Sequence, residues 1–231
     1  MCGMCLPHCP TYRIYQNEAE SPRGRISLIQ AYSQGRLSTD SNLVEHLDHC
    51  LGCMACEAMC PSRVPYGRLL DTARASLAKV TRQPFLQRQL LHAVTREGGL
   101  AHYSKLLKLA RVSGLASITK LVSRASGRSR SGVWLEQLQP RSFDRHYPAR
   151  RDTGRRVALF SGCMGTSLDA DTLASSIRVL NGLGFNVEIP ENQVCCGALH
   201  QHNGFPGQAA QLARDNKVIF EALDVDAVIF T

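Results

Sequence analysis

The stretch CLGCMACEAMCP, residues 50–61, is the most informative part of this chain. Its pattern, C-x2-C-x2-C-x3-C-P, is the thiolate run that holds [4Fe–4S] clusters in bacterial-type ferredoxins. In two-cluster proteins the first three cysteines bind one cluster, and the fourth, which precedes proline, binds the other. The chain is therefore expected to carry a second run of the same kind.

A second run is present at residues 2–10, where CGMCLPHCP gives C-x2-C-x3-C-P. Its first cysteine would fall two places before Met1, so we expect this sequence to be part of a longer one. The cross-over rule predicts one complete set of metal ligands, which is Cys9, Cys50, Cys53 and Cys56. The second set lacks one thiolate in this chain and comprises Cys2, Cys5 and Cys60.

Composition limits the class of protein. The chain has 231 residues, of which 44% are hydrophobic, enough for one or two domains with a sizeable core. No apolar run approaches the length of a membrane span. Ten cysteines in C-x2-C runs and a vicinal pair suit metal binding in a reducing cytosol better than disulfides, so we expect a cytoplasmic protein.

The net charge of +8 is concentrated in the middle of the chain. Residues 81–160 hold 16 lysines and arginines against 4 acidic residues. Such a segment suits a nucleic acid, an anionic lipid surface or an acidic partner subunit, and the simpler alternative is a solvated helical surface. A zinc-binding nucleic-acid module fits poorly, because zinc sites usually show paired C-x2-C or C-x2-C and H-x3-H units, whereas three cysteines followed by Cys-Pro favour cubane clusters. The runs also lack interleaved aromatic residues for base stacking.

Three regions follow from these patterns. Residues 1–82 are expected to form an α-helical di-cluster ferredoxin domain, and residues 83–152 a basic helical linker. Residues 153–231 are expected to form the first part of a cysteine-rich α/β domain with a parallel sheet. Because the chain stops on an apolar strand, we expect a longer sequence at this end as well.

Helices are predicted in the first region from caps and apolar spacing. Ser21 and Pro22 make a good N-cap and first helical residue, and the apolar spacing extends towards Leu37. Short apolar stripes predict further helices around Leu43–Leu47 and Leu69–Val80. Arg23 and Arg25 are expected to pack or to face solvent, with an electrostatic effect on a cluster as the alternative.

Strands alternate with helices in the last region. Apolar runs predict strands at 157–160, 185–189 and 227–230, with helices at 168–183 and 207–223 between them. Gly184 is a candidate C-cap. This alternation predicts a doubly wound parallel sheet.

A third group of cysteines follows the predicted strands. Cys163 comes after the first strand, and Cys195 and Cys196 come after the second. Loops that follow parallel strands meet at one edge of the sheet, so we expect these three thiols to form a cofactor-binding site. The alternative is a set of small buried cysteines. His49 and His200 lie beside cysteine motifs and are expected to support a cofactor, with ligation as the alternative.

Four motifs together resemble a known family. They are CGMCLPHCPTY at 2–12, SPRGRI at 21–26, CLGCMACEAMCPS at 50–62 and VCCGA at 194–198. They are similar to the iron–sulfur subunit of glycolate oxidase, and related subunits occur in anaerobic glycerol-3-phosphate dehydrogenase and in heterodisulfide reductase. The resemblance extends from Cys2 to the end of the chain and is weakest from about 84 to 150.

The resemblance implies an electron-transfer subunit without catalytic residues of its own. It implies two [4Fe–4S] clusters, one short of a ligand in this chain, and a further iron–sulfur or metal site at Cys163, Cys195 and Cys196. The implied partners are flavoprotein subunits that oxidise a 2-hydroxy acid such as glycolate, and a quinone or other membrane acceptor. Peripheral association with the inner face of the plasma membrane is implied, and nucleic acid binding is not. A heterodisulfide reductase-like or glycerol-3-phosphate dehydrogenase-like redox subunit is the alternative.

Overall fold

The computed structural model describes residues 2–39, 41–81, 141–151 and 153–230, together with five single helical positions: 85, 89, 91, 93 and 95. The chain divides into two compact units. The first contains Met1–Gln87 and Ala198–Ala209, and the second contains Arg88–Gly197 and Ala210–Thr231. Most of the basic segment predicted at 83–152, with its apolar stripes, lies outside the described residues.

The first unit is helical in its described residues, as expected. Its helices are α1 (Pro10–Tyr15), α2 (Pro22–Ser33), α3 (Ser41–Asp48), α4 (Ala55–Ala58), α5 (Tyr66–Val80) and α8 (Ala198–His202), and a 3-10 turn covers Glu18–Glu20. Their shared core is formed by buried residues of α3, α4 and α5, namely Leu43, Leu47, Cys56, Tyr66, Leu70, Ala73 and Leu77. The cysteine loops therefore surround a helical core rather than a β-rich one.

The start of α2 shows why the SPRGR motif has these residues. The Ser21 hydroxyl accepts a hydrogen bond from the Gly24 N–H at 2.9 Å, which caps the helix, and Pro22 occupies the first turn. A Cβ atom at Gly24 would overlap with the Glu18 carbonyl oxygen, so only glycine fits there. The predicted cap is confirmed, but α2 ends at Ser33 and does not reach Leu37.

The second unit contains a four-stranded sheet. Its strands are β1 (His146–Tyr147), β2 (Arg155–Phe160), β3 (Phe185–Glu188) and β4 (Ala227–Phe230), in the order β1-β3-β2-β4. β2 pairs in parallel with both β3 and β4. Helices α6 (Gly165–Leu168) and α7 (Ala170–Gly182) connect β2 to β3, and α9 (Pro206–Glu221) precedes β4. The three predicted strands are confirmed to within two residues at their ends.

The prediction of a purely parallel sheet was wrong. β1 pairs antiparallel with β3, with His146 opposite Glu188 and Tyr147 opposite Val187, so the sheet is mixed. β1 falls within the stretch that was expected to be linker. The Asn181 side chain fixes it by donating hydrogen bonds to the carbonyl oxygens of Tyr147 and Phe185, both at 3.0 Å.

The core of the second unit lies between the sheet and α7. It is formed by buried residues of β2, α7 and β3 and by the residue that follows β3, namely Val157, Leu159, Leu173, Ile177, Val187 and Ile189. Gly184 ends the α7 turn with φ of 92°, as its predicted role as a cap requires. Among the described residues, no helix combines the length and apolar character needed to cross a bilayer.

Candidate iron–sulfur sites

One cavity of the first unit is lined by four cysteines from both predicted runs. Cys9, at the N-cap of α1, lines it together with Cys50, Cys53 and Cys56 from the loop before α4 and from α4 itself. This is the set predicted by the cross-over rule. Four thiols on one cavity are the donor set that a [4Fe–4S] cluster needs, so the residues present fit that group.

Burial keeps one of these thiols protonated when no metal is bound. It raises the pKa of the Cys56 thiol to about 11, and the neighbouring thiolates of Cys50, Cys53 and Cys9 add to this effect. Without a cation, the cavity therefore disfavours four negative charges at once. Iron would compensate those charges and hold all four sulfurs as thiolates.

Two hydroxyl groups contact sulfur atoms of this cavity. The Tyr66 hydroxyl lies 3.3 Å from Cys50 Sγ, and Thr11 Oγ1 lies 3.2 Å from Cys9 Sγ. Tyr66 is 3% exposed, and its pKa is raised by burial and by the nearby Cys50 charge. Both hydroxyls therefore stay neutral and can donate hydrogen bonds to thiolates.

Arg25 is fully buried behind this site, at 0% exposure. Its Nη1 donates to Thr11 Oγ1 at 3.0 Å and to the Glu20 carbonyl oxygen at 2.6 Å. Its Nε donates to the His46 carbonyl oxygen at 2.6 Å, and its Nη2 to the Glu20 carboxylate at 2.5 Å. One guanidinium group thus joins α2, α3, the 3-10 turn and the start of α1.

The Glu20 carboxylate contacts two histidines as well as Arg25. His46 Nδ1 lies 2.7 Å and His49 Nδ1 2.9 Å from Glu20 Oε1, and the His49 ring stacks on Tyr15 at 5.2 Å. Burial acts to raise the pKa of the Glu20 carboxyl, but the histidine hydrogen bonds and the Arg25 charge outweigh it and lower that pKa. The carboxylate is therefore ionised and its negative charge is compensated.

The three cysteines predicted for the second site lie on two segments, one before α1 and one after α4. Cys2 and Cys5 interact electrostatically, and the Arg23 guanidinium lies near both Cys5 and Gly3. Burial raises the pKa of the Cys5 thiol, whereas Arg23 opposes this rise. Cys60 follows α4 and is half-buried. Arg23 therefore lies beside Cys5, whereas Arg25 contacts Thr11, which in turn contacts Cys9.

The third cysteine group meets at one edge of the mixed sheet, as predicted. Cys163 follows β2, and its Sγ shares a hydrogen bond of 3.4 Å with Sγ of Cys195, which follows β3. This bond lowers the pKa of Cys163 and raises that of Cys195. Cys195 is buried at 4% exposure, whereas Cys196 is exposed. The group offers one thiol of enhanced acidity beside two others.

Two amide side chains hold the loops that carry these thiols. Gln193 Oε1 accepts a hydrogen bond from the Ser161 N–H at 2.8 Å. Asn216 on α9 accepts from the Val194 N–H at 2.9 Å and donates to the carbonyl oxygens of Val194 and Cys195, both at 3.2 Å. Gly162 and Gly197 have φ of 60° and 85°, which lets the backbone turn beside the cysteines.

The histidines singled out from the sequence have other contacts. His49 binds Glu20, and His200 is buried on α8 with an edge-to-face contact to Phe205. The contacts of Thr11 and Tyr66 with cysteine sulfurs were missed, because neither residue is a cluster ligand and sequence spacing does not reveal such contacts. A buried arginine after Ser-Pro was the signal that could have pointed to the network behind Cys9.

Two family profiles match separate parts of the chain. The 4Fe-4S dicluster domain profile matches residues 1–64, and the cysteine-rich domain profile matches residues 157–231. The chain is 37% identical, over 99% of its length, to the probable glycolate oxidase iron-sulfur subunit of Bacillus subtilis. It is 32% identical, over 93% of its length, to the glycolate oxidase iron-sulfur subunit of Escherichia coli.

The chain is similar to glycolate oxidase iron-sulfur subunits over nearly its whole length. The resemblance inferred from the four motifs is thereby confirmed. An uncharacterised iron-sulfur protein of Methanocaldococcus jannaschii is 26% identical over 99% of the chain and 40% of its own length. The chain spans 54% of the Bacillus protein and 50% of the Escherichia protein, about half the length of these relatives. No solved structure matches the chain.

Proposed function

We propose that the chain is an iron–sulfur electron-transfer component of a flavin-linked 2-hydroxy-acid oxidase, with glycolate as the substrate of the complex. The cavity lined by Cys9, Cys50, Cys53 and Cys56 carries this proposal, because cysteines far apart in sequence meet in the pairing that two-cluster ferredoxins use. The similarity to glycolate oxidase subunits supports the choice of complex.

A bound [4Fe–4S] cluster supplies one-electron transfer. Cys9, Cys50, Cys53 and Cys56 would hold that group, and hydroxyl groups would lie beside the sulfurs of Cys50 and Cys9. In the complex, a flavoprotein partner removes two electrons and two protons from the hydroxy acid. The electrons then pass one at a time through this chain to a quinone or another membrane acceptor, which takes up two protons when it is fully reduced.

Cys2, Cys5 and Cys60 are proposed as the ligands that this chain gives to a second cluster. The nearby Arg23 charge suits an anionic group at Cys5. Cys163, Cys195 and Cys196 are proposed as ligands of a further iron–sulfur or metal site, supported by the 3.4 Å contact between Cys163 and Cys195. Cytoplasmic location, with peripheral attachment at the membrane where the acceptor resides, is part of the same proposal.

Iron and acid-labile sulfide, measured on anaerobically purified chain together with EPR spectra, test the proposal. Cys53→Ser is expected to remove about four irons per chain and one reduced [4Fe–4S] signal. It should leave any metal at Cys163, Cys195 and Cys196 in place. Ser62→Ala, at an exposed position directly after the same cysteine run, is the control and should change neither quantity. Equal iron in the Cys53→Ser variant and the parent would contradict the ligand assignment, as would zinc without sulfide.

A second candidate function uses the third cysteine group for thiol chemistry, as the resemblance of its motif to heterodisulfide reductase subunits suggests. The lowered pKa of Cys163 beside Cys195 favours it. Under that alternative, Cys163→Ser abolishes reduction of a disulfide substrate by the chain while iron at the four-cysteine site stays constant. Under the electron-transfer proposal, the same variant leaves electron flow from the flavoprotein into the four-cysteine site unchanged.

A further inference from the structure

We propose that Tyr66 and Thr11 are positioning residues whose hydroxyl groups donate hydrogen bonds to the sulfurs of Cys50 and Cys9 and so raise the reduction potential of the four-cysteine site. The inference rests on the proposed function, because it takes that site to hold a cluster. It goes further by assigning control of the potential to two side chains that are not cluster ligands.

Tyr66 is a buried residue at the start of α5. Its hydroxyl group lies in the interior and contacts the Cys50 sulfur at 3.3 Å. Buried hydroxyl groups in native proteins are hydrogen-bonded as a rule. A thiolate bound to iron has no proton, so in the loaded protein Tyr66 must be the donor and Cys50 the acceptor.

Thr11 has three polar neighbours but only one proton to donate. Its Oγ1 donates to the Glu20 carbonyl oxygen at 2.9 Å, accepts from Arg25 Nη1 at 3.0 Å and lies 3.2 Å from Cys9 Sγ. Arg25 Nη1 also donates to that carbonyl at 2.6 Å, so Glu20 keeps a donor without Thr11. The hydroxyl proton is therefore available to the Cys9 sulfur, which becomes the stronger acceptor once it carries negative charge.

The direction of the effect follows from charge. Reduction adds one electron, and part of its charge resides on the cysteine sulfurs. A hydrogen bond to a sulfur is consequently stronger in the reduced state, and it raises the potential. Hydrogen bonds strengthen as the acceptor gains negative charge, so each donor is expected to change the reduction equilibrium by roughly tenfold.

The test uses the full chain, purified anaerobically with its iron. The relevant signal is first identified as the reduced [4Fe–4S] EPR signal that is absent from Cys53→Ser. Its midpoint is then measured by redox titration in Tyr66→Phe, in Thr11→Val and in the double variant. Each single variant is expected to lower the midpoint by about 59 mV, the one-electron equivalent of a tenfold change, and the double variant by more.

Two controls separate a hydrogen bond from a packing effect. Thr11→Ser keeps the hydroxyl and is expected to retain the parent midpoint. Tyr32→Phe removes a hydroxyl from a partly buried tyrosine that packs against the same core, and should leave the midpoint unchanged. An unchanged or higher midpoint in Tyr66→Phe and in Thr11→Val would overturn the inference, and so would equal shifts in Thr11→Val and Thr11→Ser.

A second readout does not need the variants to fold. In parent protein exchanged into D2O, pulsed EPR should detect strongly coupled exchangeable deuterons from the two hydroxyl groups at this signal. Their absence would overturn the inference even if Tyr66→Phe loses its iron. A parent chain without any [4Fe–4S] signal would instead overturn the proposed function, so the two failures are distinguishable.

Discussion

The substitution Arg25→Met tests whether the buried guanidinium holds the first unit together. Methionine fills most of the volume of the arginine stem but removes the charge and the four hydrogen bonds that Arg25 donates to Thr11, Glu20 and His46. It leaves the Glu20 carboxylate, which is 3% exposed, without its cation. Removing one partner of a buried ion pair typically costs about 3–5 kcal/mol.

For a chain of this length, about 2–4 °C are lost per kcal/mol, so the Tm should fall by roughly 6–20 °C. Thermal unfolding of the anaerobically purified chain, followed by far-ultraviolet circular dichroism, measures this loss. Arg23→Met is the matched control from the same helix. Arg23 pairs with Glu18 at a half-exposed position, where an ion pair contributes only about 0–1 kcal/mol.

The double variant Glu20→Gln/Arg25→Met identifies the physical cause. If an uncompensated carboxylate causes the loss, the double variant should be more stable than Arg25→Met alone. Losses that simply add would refute this reasoning, as would a Tm for Arg25→Met equal to that of Arg23→Met.

Other predictions concern a close packing contact and the third cysteine group. Gly24→Ala places a methyl group against the Glu18 carbonyl oxygen and should lower the Tm and the iron content, whereas Gly182→Ala, with open space around it, should lower neither. The pKa of Cys163 is lowered from the usual value of about 9, and that of Cys195 is raised. Metal-free chain treated with iodoacetamide at stepwise pH should therefore be alkylated at Cys163 below pH 9 and at Cys195 only above it, as measured by mass spectrometry. The reverse order would contradict this assignment. Asn216→Ala removes three hydrogen bonds to the cysteine loop and should speed alkylation of Cys195; an unchanged rate would mean that the loop is held in another way.

Local patterns predicted much of the fold. The cap at Ser21 and the strand at 227–230 depend on neighbouring residues and on short apolar runs, and both are confirmed. β1 could not be predicted in this way, because two residues have no periodicity and their partner β3 lies about 40 residues away. The helix expected to reach Leu37 shows the opposite error, since apolar spacing continued past the residue at which α2 ends.

Only the residues of the candidate site that belong to a spaced cysteine motif could be predicted from the sequence. The grouping of Cys9 with the later run follows from a known ligand order, and one cavity brings these residues together. Tyr66 lies 16 residues after Cys50, and the contact between Arg25 and His46 spans 21 residues. No periodic rule links positions at such separations, so the donors around the sulfurs became visible only through packing.

The short antiparallel strand β1 also affects how the second unit behaves in concentrated solution. It covers the outer side of β3 with only two residues, and Pro148 follows them directly. Proline lacks the N–H that a further strand would need, and Arg145 places a positive charge beside Glu188 at this edge of the sheet. The edge strand β1 therefore offers little backbone for another chain to pair with. Pro148→Val would lengthen β1 and should promote self-association of the chain.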